Sequence, residues 1–132
     1  MSQENVEAIR RIYDGWAGGD FEASVDVLDP HVVLVMSPEF PDSGTYLGLE
    51  GVAEYTRGFL EPWSRITIEG EEFAAVGDSV IVAVRQAGVG GGSGAATEFR
   101  YFHVWSFRGA KVIRLETFRD RAAAFEAAGL SE

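Results

Sequence analysis

The sequence predicts an α+β fold in which helices pack on one face of a curved antiparallel sheet. Three features carry that expectation. Helical periodicity is confined to the first half and the extreme C-terminus, and strand-like alternation fills the stretch between them. Residues 98–120 then read as two long strands joined by a tight turn at Arg108-Gly109-Ala110-Lys111.

Val6, Ile9, Tyr13 and Trp16 recur at three- and four-residue steps, one face of an amphipathic helix over residues 3–17, and Gly18-Gly19 ends it. Asp20 stands where an N-cap belongs, ahead of a second short helix carrying Phe21, Val25 and Leu28 that Asp29-Pro30 stops. Residues 31–36 are a short apolar run and read as a buried strand. With Pro38, Pro41, Gly44 and Gly48, residues 37–48 form a loop or edge-strand excursion, a candidate rim for a cleft. Helical spacing returns at Leu49, Val52, Tyr55, Phe59 and Trp63, despite the cost of Gly51 and Gly58, in a third helix ending near Pro62. Strands follow over residues 66–76 and 79–89, around a Gly77-Asp78 turn. The glycine-rich run 88–94 lacks GxGxxG spacing and a following GK[ST], and opens no helix to hold a phosphate; it reads as a flexible hairpin loop. A short helix over 121–128, capped by Asp120 and ended by Gly129, closes the chain.

Bulk properties exclude several classes of function. The length of 132 residues fits a single domain spanning residues 1–132. A net charge of −10 opposes nucleic acid and anionic membranes as partners. With no cysteine there is no disulfide, thiolate metal site or cysteine nucleophile. The two histidines stand far apart without an HExxH pattern, so no metal is expected. The N-terminus has no signal-like basic start and apolar run, which points to a cytoplasmic protein.

Chemistry concentrates in the 98–120 hairpin. Phe99, Tyr101, His103, Trp105 and Phe107 share one strand face, and such a row of rings lines a core, a pocket or a partner rather than water. His103 has the side chain that titrates nearest neutrality, and desolvation there keeps it neutral. A core histidine bonded to its neighbours is the plain alternative. Tyr101 is placed to hydrogen-bond a developing enolate oxygen, or simply to pack. Asp120 is a general acid or merely a cap. The turn sets what faces His103: a two-residue turn opposes it to Glu116 and Trp105 to Arg114, whereas a three-residue loop opposes it to Leu115, with Thr117 and Arg119 alongside. Tyr13, Trp16, Phe59 and Trp63 complete an apolar lining or a core, and Arg85 and Arg119 are charge anchors or solvated ion pairs.

The chain resembles the SnoaL-like group of the cone-shaped fold shared by nuclear transport factor two, ketosteroid isomerase and the polyketide cyclases. The resemblance rests on Tyr13-x-x-Trp16, Gly19-Asp20, Gly48-x-x-Gly51-Val52 and Gly77-Asp78-x-Val80 in the first part of the chain, and on Ser93-Gly94 in the C-terminal half. In the last part it rests on His103-Val104-Trp105-x-Phe107-Arg108, Lys111-Val112 and Asp120-Arg121-x-x-Ala124-x-x-Ala127-Ala128-Gly129-Leu130. It implies a cone-shaped curved antiparallel sheet packed against three N-terminal-half helices plus a short C-terminal helix. Steroid isomerisation is disfavoured, because Ser37-Pro38 stands where the isomerase base would be and His103 where its second carboxylic acid would be. Tyr101-Phe102-His103 lacks the Arg-x-Asp of limonene-epoxide hydrolases. Asp120 matches the aspartate that SnoaL-type cyclases place after the last strand.

The combined expectation is an apolar cleft for a small cyclic or polycyclic carbonyl compound. If the protein is an enzyme, the chemistry is cofactor-free acid/base work, aldol cyclisation or isomerisation, with His103 and Asp120 handling protons and Tyr101 assisting. The ligand would be lined by Tyr13, Trp16, Phe59, Trp63, Phe99, Trp105 and Arg119. The alternative is a non-catalytic binding or dimerisation module of the same fold. A homodimer is expected through the opposite sheet face, around Phe102, Val104 and Leu115.

Overall fold

A computed structural model describes residues 2–22, 25–40, 43–92 and 94–129. Its elements are α1 (Ser2–Ala17), a 3-10 turn (Val25–Val27), β1 (Leu28–Met36), β2 (Gly44–Leu47), α2 (Gly48–Leu60), β3 (Trp63–Val76), β4 (Ser79–Gly90), β5 (Ala96–Arg108), β6 (Lys111–Phe118) and α3 (Arg121–Ala127). The six strands form one open sheet in the order β2-β1-β6-β5-β4-β3. Neighbours run antiparallel except β1 and β6, which are parallel, so the sheet is mixed. Pro41, Ser93 and Leu130 lie outside the described residues.

The second expected helix is replaced by a turn at Phe21-Glu22 and the short 3-10 turn, and Leu28 opens β1 instead. Residues 23 and 24, in the middle of that segment, lie outside the described residues. Asp20 still caps locally, its Oδ1 accepting from the Glu22 amide at 3.2 Å. Trp63 likewise leaves the helix assigned to it. The helix stops at Leu60 because Glu61 precedes Pro62, and Trp63 begins β3. Its ring packs closely against Gly88, where an added Cβ would come within 2.7 Å of Trp63 Cε3. Part of the glycine run is therefore strand, with Gly88 serving close packing, and the chain turns only at Gly91-Gly92.

Bulges interrupt the register of the sheet. In β3 the register slips between Gly70 and Glu72, leaving Glu71 as the extra residue. The missing Cβ of Gly70 makes room for the Phe73 ring, which meets Tyr13 of α1 edge-on at 5.6 Å. In the β5–β6 hairpin Arg108 pairs Lys111 across a two-residue Gly109-Ala110 turn, with Gly109 at φ 62°. The register then shifts between Ser106 and Phe107, with Ile113 as the extra residue. His103 consequently opposes Thr117, and Trp105 opposes Leu115. Neither simple register holds: the turn is the two-residue one, but the bulge moves every later partner by one position and brings Leu115 and Thr117 to the inner face.

That shift also corrects the outer face. Val104 and Phe102 do point outward, but they pack with Ile81, Phe118 and Phe125 beneath α3, whereas Leu115 belongs to the main core. Asp120 caps α3, accepting from the Ala122 amide at 3.3 Å, and Gly129 ends it at φ 93°. Over β3, β4 and β5 the outer face is ionic rather than apolar. Arg85 pairs with Glu69 and Glu98, and Arg100 with Glu71 and Glu98.

The main core lies between the inner sheet face and the helices, with Ile9, Ile12, Val80, Val82, Val84 and Trp105 among its fully buried side chains. Helix α2 differs, since none of its residues is fully buried. Its inward side chains face a cavity.

Candidate functional site

Two connected chambers lie between α2 and the inner face. The inner one has a volume of about 80 Å³, and its wall includes Trp16, Leu34, Val52, Trp105, Leu115 and Ile68. The outer one is about 490 Å³ and is walled by Phe40, Trp63, Gln86, Phe99, Glu98 and Thr97, among others. Met36, Tyr55, Phe59, Tyr101, His103 and Thr117 belong to both, so the two form one funnel narrowing inward. A cavity of ~150 Å³ is needed to hold benzene, so the ring of a ligand fits the outer chamber and only a small group fits the inner. The lining is overwhelmingly apolar and aromatic, as expected of small-molecule sites.

His103 is the polar centre. It is 6% exposed, and burial pushes its pKa from 6.5 down to about 3, so the ring is neutral at physiological pH. Its Nδ1 lies 2.5 Å from the hydroxyl of Tyr13, which itself accepts from Trp105 Nε1 at 3.0 Å. The buried phenol hydrogen needs an acceptor, and the imidazole Nδ1 is the one within reach, so the phenol donates to the imidazole while accepting from the indole. Burial raises the Tyr13 pKa well above its ordinary value, which keeps that proton on the phenol. The chain of bonds therefore runs Trp105 to Tyr13 to His103 Nδ1. It fixes the tautomer, placing the ring proton on Nε2, the atom left to meet a ligand.

Two further polar groups matter. Tyr101 donates its hydroxyl hydrogen to Gln86 Oε1 at 2.8 Å, so that hydrogen is already engaged rather than offered to an enolate. Trp16 Nε1 is, among the described residues, the buried side-chain nitrogen or oxygen without a hydrogen-bond partner, in a ring that walls the inner chamber. Thr117 is occupied by its own neighbours, accepting from the Ser37 amide at 3.3 Å and lying 3.4 Å from Met36 Sδ.

Of the residues chosen from the sequence, Tyr101, His103, Trp16, Phe59, Trp63, Phe99 and Trp105 line one or both chambers. Tyr13 lines neither and acts from behind, through its bond to His103. Arg119 stacks over Phe99 at 4.7 Å, outside the lining. Asp120 is not brought to His103: it lies beyond the last strand, its carboxylate turned to the α3 amide. Sequence reasoning missed Phe40 and Gln86 as site residues. Phe40, one of two aromatic residues in the 37–48 segment, is 6% exposed and meets Phe99 and Tyr101 edge-on at 5.9 and 5.7 Å. Gln86 continues the inward alternation of Val80, Val82 and Val84, a signal visible in β4.

The mixed sheet with its covering helices has the fold of NTF2-like, ketosteroid-isomerase-like proteins. The model of the SnoaL-like domain matches residues 9–115, and the chain belongs to that family. TerC co-crystallised with polyporic acid is 26% identical, covering 95% of this chain and 98% of that one, with a TM-score of 0.77. An NTF2-like protein of Burkholderia thailandensis is 23% identical over 97% of each chain, with a TM-score of 0.79. A Catenulispora acidiphila protein of ketosteroid isomerase-like fold, in complex with trimethylamine, is 14% identical over 94% and 93%, with a TM-score of 0.74. No curated protein matches the chain. Among the described residues no helix is long and apolar enough to cross a membrane, and no cluster of three metal-ligating side chains occurs.

Proposed function

We propose that this protein binds a small, uncharged, ring-containing carbonyl compound, the ring in the outer chamber and the carbonyl accepting from His103 Nε2–H. The observation that carries this reading is the Trp105–Tyr13–His103 chain, which makes a neutral, buried imidazole a fixed hydrogen-bond donor at the neck of an apolar funnel. A neutral imidazole of this kind polarises a carbonyl and does not protonate it. The polyporic acid held by TerC supports an organic ligand in a relative of this fold.

Aldol closure or isomerisation at that carbonyl would also need a base. Among the described residues walling the two chambers the carboxylate is Glu98, at the outer rim and engaged by Arg85 and Arg100. Binding without turnover is therefore the reading we favour over catalysis by His103 with Asp120.

Calorimetric titration with 1-tetralone and with tetralin, the same skeleton without the carbonyl, tests this directly. Wild type is expected to favour the ketone by about tenfold, the worth of one neutral hydrogen bond in a dry site. His103→Leu should bind the two alike. Equal affinity of wild type for both compounds would remove His103 from recognition, and no binding of either would overturn the small-molecule reading.

A further inference from the structure

Trp16 carries a hydrogen-bonding demand that the fold does not meet. Its Nε1–H is buried without a partner among the described residues, and its ring walls the inner chamber. The indole is held on three sides by other rings, with Tyr13 edge-on at 4.9 Å, His103 edge-on at 6.2 Å and Phe21 stacked at 6.4 Å. A buried donor fixed in this way calls for an acceptor from outside the chain, because leaving it unpaired is costly.

The inner chamber suits water in that role. Its volume of about 80 Å³ exceeds the ~10–15 Å³ that one water needs, but a water also needs more than one polar partner. Thr56 supplies the second. Its hydroxyl hydrogen goes to the Val52 carbonyl at 2.8 Å, which leaves the oxygen able to accept, and Thr56 walls the same chamber.

The wall also sets the route by which water arrives. Phe21, Leu28, Val52 and Thr56 line the inner chamber and, equally, a surface groove of about 490 Å³ that runs along α2 past Asp20 and Arg57. None of these four lines the outer chamber. The partition between inner chamber and groove is therefore a single layer of side chains. Leu28 is fixed in β1 and 5% exposed, whereas Phe21, Val52 and Thr56 are only half-buried, and Phe21 lies in a turn.

We propose that the inner chamber is a hydration site with its own entrance. A water accepts from Trp16 Nε1–H, donates to Thr56, and exchanges with solvent through the partition of Phe21, Val52 and Thr56 rather than through the outer chamber. The cavity is thus vented at the rear, so water pushed inward as the outer chamber fills has an exit. This vent does not depend on which compound fills that chamber.

The test uses 15N-labelled, ligand-free protein and reads its three indole N–H resonances. The Trp16 resonance should show a cross-peak to water and exchange its hydrogen at least about tenfold faster than Trp105, whose N–H is bonded to Tyr13 and reports opening of the whole fold. Phe21→Ala should speed Trp16 exchange relative to Trp105 by a further factor of about ten. Phe99→Ala, which enlarges the outer chamber alone, should leave it within about twofold of wild type. A Trp16 resonance with no water cross-peak and the protection of Trp105 would refute the hydration site. Phe21→Ala without effect, or equal acceleration by Phe99→Ala, would overturn the rear entrance. Should Phe21→Ala fold poorly, Val52→Ala thins the same partition from α2 and is read in the same way. Binding of 1-tetralone plays no part in these outcomes, so failure here and failure of the carbonyl-binding reading are told apart.

Discussion

Tyr13→Phe is expected to destabilise the fold by about 2–6 kcal/mol, although it removes a single oxygen. The ring keeps its edge-on contacts with Trp16 at 4.9 Å, Phe73 at 5.6 Å and Trp105 at 6.1 Å, so packing is retained. What disappears is the centre of a buried chain: Trp105 Nε1 loses its acceptor and His103 Nδ1 its donor. Each orphaned group costs ~1–3 kcal/mol, against a total stability of ~5–15 kcal/mol for a typical domain. Chemical denaturation measures the loss. The double variant Tyr13→Phe/Trp105→Phe should lose less than the sum of the singles, because the second change removes a donor already stranded. Ligand affinity should also fall in Tyr13→Phe, although Tyr13 lines neither chamber, since His103 is no longer held in its Nε2–H tautomer. A loss below about 1 kcal/mol, or additive singles, would mean that the three side chains do not act as one network.

The second large effect is on acid stability. His103 has a folded-state pKa of about 3 against an ordinary value of 6.5. The unfolded chain therefore takes up the proton first as pH falls. Its contribution is complete above pH 6.5 and is lost progressively as the pH drops from 6.5 towards 3, at up to ~1.4 kcal/mol per pH unit. Between pH 6.5 and 5, before most carboxylates titrate, wild type should lose on the order of 2 kcal/mol that His103→Asn does not lose. His31 is common to both proteins and cancels. Parallel pH profiles of the two would show that the buried imidazole is not held neutral.

Much of this was written in the sequence. The period-two rings of β5 announced the inner face, and the helix faces of Tyr13, Trp16 and Phe59 announced what covers it, because both signals are local. Three features were not legible. The bulge at Ile113 reassigned Leu115 and Thr117 to the cavity, and a single inserted residue that follows an apolar neighbour, Val112, leaves no compositional trace. The bond between Tyr13 and His103 joins residues ninety positions apart in the chain. Each residue was chosen separately, but nothing in either segment reveals that one donates to the other. Asp120 shows the converse: a carboxylate ahead of a helix reads equally as acid or cap, and only the position of α3 on the outer face separates it from His103. Phe40 was hidden for a different reason, since proline-rich segments carry no periodicity from which to infer burial.

The central claim is that His103 is a neutral donor whose tautomer is set from behind by Tyr13. The most direct measurement is the pair of ring-nitrogen 15N shifts of His103, followed from pH 8 to pH 5 in wild type. The account predicts a protonated Nε2 and an unprotonated Nδ1 throughout, with Nε2 responding to 1-tetralone. A proton on Nδ1, or an imidazolium appearing above pH 5, would contradict it.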